Sequence, residues 1–368
     1  MLTFRSAALA VGAAIPLLCA AQPTGVSLSG VVDGGVRRDS GGDGGGRWSV
    51  GSGLMQTSRL TLFGVEDLGA GLRASIALEA GLNIDTGTGT SNPPSPTPNP
   101  SLTFGRTAAV ALGSDAWGYV SLGRQYTPIF GVSASGVNDP FGANWLGGVS
   151  TVYNLAARAS NAIGYTYGYS ARALFSGPPR KGFGAAAMVS LSEEPSGPTE
   201  GAGEQVGINA SWGDGQWFIG YGYHRIKGSN GSISATAPVS NSPTTRQQSL
   251  VASYEFPFGR LHAGVNTADG SPALDRVNWH IGAALPWGER HALRLLYGRA
   301  NDQTAADADF STFQIGYQYN LSRRTNLYAG WGTVRNDPGA RTVLTGSVGA
   351  YAPGSTPRSF ITGVRHVF

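Results

Sequence analysis

The chain ends on the stretch RSFITGVRHVF, residues 358–368, and this stretch decides the fold class. Every second residue back from the end gives a set that has rings at both ends and no formal charge: Phe368, His366, Val364, Thr362 and Phe360. The other set contains Arg365. A two-residue period is that of a β-strand. The pattern therefore predicts a strand between hydrocarbon and water, with Phe368 at the membrane interface and Arg365 facing a wet interior, where this last strand closes the sheet.

The composition points the same way. Of the 368 residues, 41% are hydrophobic and 13% are charged, whereas soluble domains carry about 25% charged residues. There are 56 glycines, and aromatic residues make up 10%. No long apolar run follows the N-terminal segment, which excludes a helical membrane protein. Because only helices and closed barrels satisfy the backbone in lipid, a closed β-barrel is the leading prediction.

The first residues predict a secretory signal peptide. A short region with Arg5 precedes an apolar stretch, Ala7 to Leu18, and small residues follow as far as Ala21. About 12 apolar residues are too few to span a membrane, so an anchor is not favoured. Leu18 precedes the only cysteine, Cys19, which argues against lipidation. We expect a signal peptide at 1–21 and a mature barrel domain at 22–368 without disulfides or cysteine metal ligands.

Sixteen alternating segments of about ten residues follow, joined by short turns and longer polar loops in strict alternation. We predict an all-β fold, a sixteen-stranded antiparallel transmembrane β-barrel surrounded by outer-membrane lipids. A soluble β-sandwich would also contain many alternating strands. Aromatic residues near the strand ends in QWFIGYGYHRI, residues 216–226, and NLYAGWGTV, residues 326–334, favour the barrel. Pairing of the last strand with the first would remove both sheet edges.

The charged residues suggest no other chemistry. The net charge is +4, and the 26 cationic residues include only two lysines, Lys181 and Lys227. The arginines are spread singly along the strands, so nucleic-acid binding is not expected. The five histidines are scattered, and we expect no metal and no cofactor. His224, near a loop, is the only faint candidate for a barrel enzyme, an alternative that would need a Ser/His/Asp-type site.

Four motifs together resemble a known family. GVSLSGVVDGGV (25–36), SRLTLFGVEDLGAGL (58–72), YVSLGRQYTP (119–128) and the terminal GVRHVF (363–368) are similar to the general porins of Gram-negative bacteria. The similarity is to the trimeric, sixteen-stranded branch typical of β-proteobacteria. It implies an outer-membrane homotrimer that passes small hydrophilic solutes and ions by passive diffusion. It also implies a third long loop that folds into the barrel and narrows it.

That loop corresponds to residues 125–160. It is apolar for an exposed segment, with Phe141 and Trp145 among its residues, and long loops in compact folds are usually functional. We predict an inward-folded constriction loop. The turn NDPFG, residues 138–142, resembles the family's acidic loop tip, which makes Asp139 the predicted acidic group of the constriction. The alternative is that Asp139 only caps a turn before Pro140.

Charges on the wall would set selectivity. Arg59 lies opposite Leu60 and Leu62, and Arg73 and Glu79 lie on the polar face of the next segment. By resemblance, Arg59, Arg106 and Arg158 match the family's arginine ladder, and Glu79 matches its wall carboxylate. The alternative for Arg106 is a snorkelling residue at a strand end.

One position departs from the family, because Phe63 stands where a cation is common. It would weaken the positive wall or fill the lumen locally with a ring. We expect a general diffusion pore with a mild anion preference. A substrate-selective pore for small organic anions is the first alternative and the barrel enzyme the second. In the family that the chain resembles, the second long loop latches onto a neighbouring subunit. Residues 86–101 lie at the corresponding place, and whether they do the same is left open.

Overall fold

A computed structural model describes residues 25–90, 102–134, 137–142, 145–171, 175, 177–192, 201–228, 244–271 and 274–368. The predicted signal peptide and most of the 86–101 loop lie outside the described residues, so both stay predictions. Within the described ranges no helix is both long and apolar enough to cross a membrane.

The chain is mostly strand, with three short helices. The strands are β1 (Gly25–Ser40), β2 (Arg47–Ser52), β3 (Arg59–Gly69), β4 (Leu72–Asn83), β5 (Thr88–Gly89), β6 (Thr107–Ser114), β7 (Gly118–Tyr126), β8 (Arg158–Tyr167), β9 (Lys181–Ser190), β10 (Gln205–Asp214), β11 (Trp217–Ile226), β12 (Thr245–Phe256), β13 (Gly259–Ser271), β14 (Leu274–Trp287), β15 (His291–Asp302), β16 (Phe310–Asn320), β17 (Thr325–Asn336) and β18 (Arg358–Val367). The helices are α1 (Pro128–Ser133), the 3-10 helix η1 (Trp145–Gly147) and α2 (Val149–Tyr153).

The sheet closes on itself. Each strand pairs antiparallel with its neighbours along the chain, and β18 pairs with β1 from Val31↔Val367 to Ser40↔Arg358. The short strands β2 and β5 only extend loops and leave sixteen strands in the ring. The predicted sixteen-stranded antiparallel barrel is therefore confirmed. Closure matters because it leaves no backbone edge unpaired in hydrocarbon.

Alternation along each strand sorts side chains between the two faces. In β10, Asn209 and Ser211 are buried on the inside, whereas Ile208 and Trp212 are exposed on the outside. Polar residues inside and apolar residues outside are the reverse of a soluble sandwich core. This pattern is the structural basis of a wet lumen inside a lipid-facing wall.

The connections depart from strict alternation in two places. Residues 168–180, at the short-turn end, make a long connection, and among its described residues Tyr169 is buried inside the lumen and donates to Asn209 Oδ1 at 3.4 Å. At the other end, β13 and β14 are joined by only two residues. The sequence pattern missed the first of these because Tyr169 continues the alternation of β8.

The segment between β7 and β8 packs against the inner wall. α1 begins at Pro128, where the Thr127 hydroxyl accepts a hydrogen bond from the Phe130 N–H at 3.3 Å. Trp145 is 3% exposed and packs on Phe141 and on the wall residue Tyr328, with ring centroids 5.7 and 5.5 Å away. Apolar burial therefore holds the described part of this segment on the barrel interior. We call residues 127–134, 137–142 and 145–157 the inner loop.

Inward-facing glycines make room for the inner loop. A Cβ at Gly222 would lie 3.0 Å from Ile129 Cα, one at Gly298 2.5 Å from Val152, and one at Gly316 2.6 Å from Trp145. Five further glycines on the inward face meet loop atoms in the same way: Gly207, Gly220, Gly264, Gly282 and Gly332. We call these eight residues the glycine track. It lets the inner loop rest directly on the wall's backbone.

The last long loop, residues 337–357, is also fixed inside. Arg37 and Asp39 of β1 form a buried ion pair at 2.8 Å. Arg37 Nη1 donates to the Thr345 carbonyl at 2.7 Å, and Asp39 Oδ2 accepts from the Val348 N–H at 2.9 Å. The Thr345 N–H donates to the Leu146 carbonyl at 3.2 Å. The last loop thus joins the first strand to the inner loop.

The outer surface has two different sectors. The strands β1, β3, β4, β6 and β7, all fully described, place only aliphatic and small residues among their exposed apolar side chains, such as Leu28, Ile76 and Leu122. The rest of the barrel exposes many rings: Tyr165, Tyr167, Phe183, Trp212, Trp217, Tyr221, Trp287, Tyr297, Phe313, Tyr317, Trp331 and Phe360. We call the first group of strands the aliphatic sector.

Candidate functional site

Three arginines and one carboxylate meet on the lumen side of β3, β4 and β6. Arg59 opens β3, where inward Thr61 and Phe63 alternate with outward Leu60 and Leu62. Thr61 pairs with Glu79 of β4 and donates its hydroxyl to Glu79 Oε2 at 3.1 Å. The same carboxylate binds Arg59 Nε at 3.1 Å and Arg106 Nε at 2.6 Å. One carboxylate thus bridges two guanidinium groups.

Tyr126 extends this group to a third arginine. Its hydroxyl accepts from Arg106 Nη2 at 3.1 Å and from Arg158 Nη2 at 2.6 Å. The Arg158 guanidinium carbon also lies 4.2 Å from the centroid of the Tyr126 ring, which is cation–π geometry. On its other side the ring stacks on Phe130 of α1, with centroids 5.1 Å apart. Tyr126 therefore joins two of the arginines to the start of the inner loop.

We call Arg59, Glu79, Arg106, Tyr126 and Arg158 the arginine cluster. The contacts bring together four of the residues that the sequence singled out, and they add Tyr126. Its three guanidinium groups and one carboxylate sum to +2. The side chains of Arg59, Glu79 and Arg106 keep 21%, 15% and 14% exposure. Because these groups are crowded and partly shielded from water, their field is less screened than that of surface charges.

Phe63 and Arg106 resolve two questions left by the sequence. Phe63 lies two residues after Thr61 on the inward face of β3 and is 8% exposed, so a buried ring stands at this position of the wall. Arg106 lies just before β6 and its guanidinium contacts Glu79 and Tyr126. That placement is inconsistent with a side chain that snorkels along the outer surface.

Asp139 and Arg73 lie elsewhere, contrary to the sequence-based prediction. Asp139 is 1% exposed, and its oxygens accept from the Phe141 N–H at 2.8 Å and the Val149 N–H at 3.0 Å. Its carboxylate stabilises the local fold of the inner loop, because it accepts from the N–H groups of two short segments, the turn at Phe141 and the helix α2 that begins at Val149. Arg73 pairs with Asp115 at 2.7 Å beside the short turns. It lies six residues from Glu79, which is about 20 Å along a strand.

The C-terminal residues lie at the closure of the barrel. Phe368 exchanges two backbone hydrogen bonds with Gly30, each of 3.1 Å, and its ring covers the outer face of that glycine. Arg365 faces inward and donates to Gln56 Oε1 at 2.8 Å. Asp33 lies on the inward face of β1, the strand that pairs with β18, and accepts from the Tyr328 hydroxyl at 2.6 Å. Asp33 in this second polar group was missed in the sequence because a single polar residue in a glycine-rich strand carries no spacing signal, whereas Arg365 was predicted to face the interior.

The part of the barrel wall that the inner loop covers holds three buried histidines, His224, His262 and His280. Nδ1 of His280 lies 2.7 Å from the Tyr153 hydroxyl, and Nε2 of His224 lies 3.0 Å from Gln205 Oε1. Burial raises the pKa of Tyr153, and the nearby Asp139 charge raises it further, so this phenol stays protonated. In the part of the chain that is described, no three metal-binding side chains cluster. His262 is also buried and is the register partner of Gly282, two residues from His280.

Comparison with known proteins gives a consistent result. A family model described as Gram-negative porin matches residues 6–339. The chain is 29% identical to the outer membrane porin protein 32 of Delftia acidovorans, over 93% of this chain and 94% of that protein. It is 25% identical to an outer membrane porin protein of Bordetella pertussis, over 77% of this chain and 78% of that protein.

Solved structures agree. An anion-selective porin from Comamonas acidovorans superposes with a TM-score of 0.77 at 25% identity, over 94% of this chain and all of that chain. The trimer form of OmpT, an outer membrane protein of Vibrio cholerae, gives 0.62 at 15% identity and shows the fold alone.

Proposed function

From the premise that this chain belongs to the Gram-negative porin family, and is therefore a channel of the outer membrane rather than an enzyme, we propose a general diffusion pore with a mild anion preference. It passes small hydrophilic solutes and ions. The observation that carries the preference is the arginine cluster, in which three guanidinium groups face one carboxylate.

The proposed mechanism is electrostatic. The inner loop covers the wall from β10 to β17, so the free lumen lies toward β3, β4 and β6, where the arginine cluster faces it. An ion forced past this wall feels a net positive field at short range. Anions are enriched and cations depleted there. Arg59, Arg106 and Arg158 supply the field, and Glu79 moderates it.

Two features keep the preference mild. Glu79 neutralises part of the charge of Arg59 and Arg106, and the partial exposure of all three side chains lets water screen the rest. The anion-selective neighbour supports the sign of the preference. Because the guanidinium groups already have partners within the cluster, we expect ions to pass without saturable binding.

Reversal potentials in a planar bilayer test the proposal. Under a tenfold KCl gradient at low ionic strength, the potential should have the sign of an anion-preferring pore. The variant Arg158→Gln should bring the ratio of chloride to potassium permeability closer to one. Arg73→Gln, at the short-turn rim, is the matched control and should change it less. A cation-preferring wild-type pore would contradict the proposal, and saturable block by an organic anion would favour a substrate-selective pore.

We also propose that the chain forms a homotrimer through the aliphatic sector. Rings favour the membrane–water boundary, and their absence from β1, β3, β4, β6 and β7 suits protein contact. A solved neighbour of the same fold is described as a trimer. Native mass spectrometry in detergent should show three chains. Ile76→Arg should yield monomers, whereas the matched Ile281→Arg, on the ring-bearing side, should not; monomeric wild type would refute the assembly.

A further inference from the structure

The connection between β8 and β9 reaches the inner loop from the opposite end of the barrel. Tyr169 is 4% exposed, and its hydroxyl donates to Asn209 Oδ1 in the middle of β10. Gly177 of the same connection lies beside α1, because a Cβ at Gly131 would be 3.9 Å from Gly177 Cα. The helix that begins the inner loop is therefore in contact with a segment that enters from the short-turn end.

Asn209 links this connection to the first residue of α1. Its Nδ2 donates to the Pro128 carbonyl at 2.7 Å, and the side chain is 5% exposed on the inward face. Because only the oxygen end of an amide accepts a hydroxyl proton, the Tyr169 hydroxyl orients the amide with its nitrogen toward Pro128. The two residues thus fix the start of α1, at a buried place where an unpaired amide would be costly.

The helix α1 carries this placement to the ring of Tyr126. Phe130 of α1 stacks on that ring, with centroids 5.1 Å apart and ring planes inclined by only 2°. Tyr126 and Tyr169 also line the same small cavity of about 30 Å³, together with Gly131 and Gly177. Both α1 and the connection between β8 and β9 thus border the space around the Tyr126 ring.

The Tyr126 hydroxyl holds two like charges side by side. Its oxygen accepts from Arg106 at 3.1 Å and from Arg158 at 2.6 Å. Glu79 binds Arg106, whereas no carboxylate among the described residues pairs with Arg158. If the ring moves, Arg158 loses its hydroxyl acceptor, and repulsion drives its guanidinium group away from Arg106. The positive charge concentrated in the arginine cluster then falls.

We propose that Asn209 and Tyr169 are positioning residues for the arginine cluster. They fix the ring of Tyr126 through α1, and that ring keeps Arg158 beside Arg106. The charge that selects ions is therefore set in part from the short-turn end of the barrel, by a connection that lies outside the arginine cluster. This inference rests on the proposed anion preference of that cluster.

Reversal potentials of the intact pore in planar bilayers test the proposal. Asn209→Ala should bring the ratio of chloride to potassium permeability about twofold closer to one, the lower end of the coupling within one hydrogen-bond network. Asn266→Ala is the matched control and should leave the ratio unchanged. It removes an inward asparagine of β13 that is 1% exposed and whose hydrogen bonds join only wall residues, Gln248, Ser249 and Asn278.

A milder variant keeps the test valid if Asn209→Ala does not fold. Tyr169→Phe retains the buried ring and removes only the hydroxyl, so it should shift the permeability ratio in the same direction by a smaller factor. Tyr167→Phe, two residues earlier and 43% exposed on the outer face, is its control and should not shift the ratio. An unchanged ratio in both Asn209→Ala and Tyr169→Phe would overturn the proposal, even if both variants were less heat-stable.

A double-variant cycle distinguishes positioning from a separate effect on the pore. Tyr126→Phe removes the hydroxyl that holds the two guanidinium groups, so adding Asn209→Ala to it should change the permeability ratio no further. An equal effect of Asn209→Ala with and without Tyr126→Phe would show that Asn209 does not act through Tyr126, and would overturn the proposal.

A second readout is independent of ion preference. With Tyr126 labelled as 3-fluorotyrosine, the fluorine NMR signal should be single and sharp in the otherwise wild-type pore. It should broaden or split in Asn209→Ala and stay sharp in Asn266→Ala. A wild-type pore without anion preference would contradict the proposed function, and the fluorine signal would still decide this inference. A signal that stays sharp in Asn209→Ala would overturn it.

Discussion

Replacing Glu79 by glutamine should increase the anion preference. Glu79 is the only carboxylate of the arginine cluster, within 3.1 Å of Arg59 and 2.6 Å of Arg106, so Glu79→Gln raises its charge by one. An ion passing about 7 Å from that carboxylate in water-like surroundings gains or loses about 0.6 kcal/mol per unit charge. Anions become about 2.7-fold more favoured and cations equally less favoured, so the permeability ratio should rise about sevenfold.

The assay is the reversal potential in KCl gradients at two ionic strengths. The change should be largest near 0.01 M salt, where the Debye length is about 30 Å, and nearly vanish at 1 M, where it is about 3 Å. Glu66→Gln makes the same substitution on the outer face of β3, where the side chain is exposed, and is the matched control. An unchanged or lower ratio in Glu79→Gln, or an equal rise in Glu66→Gln, would refute the electrostatic mechanism.

Three further variants probe the loops. Trp145→Ala, which loses about 3 to 5 kcal/mol of packing, should loosen the inner loop and give larger, noisier single-channel currents than the wild type. The outward Trp331→Ala is the control and should not. A Trp145→Ala variant with currents as quiet as those of the wild type would contradict the packing role. Arg37→Gln leaves the buried Asp39 carboxylate without its ion pair, at a cost of about 3 to 5 kcal/mol. Limited trypsin digestion should therefore cut the last long loop faster in this variant than in the control, the exposed Arg47→Gln. Equal resistance of the two variants to trypsin would argue against the role of Arg37 in fixing this loop. Asp139→Asn should leave the reversal potential unchanged while raising current noise, and a shift as large as that of Glu79→Gln would place this carboxylate at the opening after all.

The sequence predicted the barrel well because its physical cause is local. Alternation along each strand, as in the terminal set ending at Phe368, follows from hydrocarbon on one side and water on the other. The same reasoning missed the connection at 168–180. Tyr169 keeps the period of a strand although its ring lies inside the lumen, and no local pattern distinguishes an inward ring at a strand end from an outward one.

The site was predictable only where neighbouring strands fix the register. Arg59 and Glu79 lie on the inward faces of a hairpin with a short turn, so their proximity follows from alternation. Tyr126 joins residues 20 and 32 positions away along the chain, and only the closed sheet brings them together. Asp139 was assigned by resemblance, and the resemblance carried no information on which way its carboxylate points.

The glycine track has a consequence for how the aperture can vary. Where Gly298 becomes alanine, the added methyl has no room under Val152, and the inner loop must shift toward the channel axis. The cross-section available to a solute is thus governed from the back of the loop, by atoms that no permeant touches. A substitution behind the inner loop would therefore change the channel diameter and leave the charged groups that select ions in place.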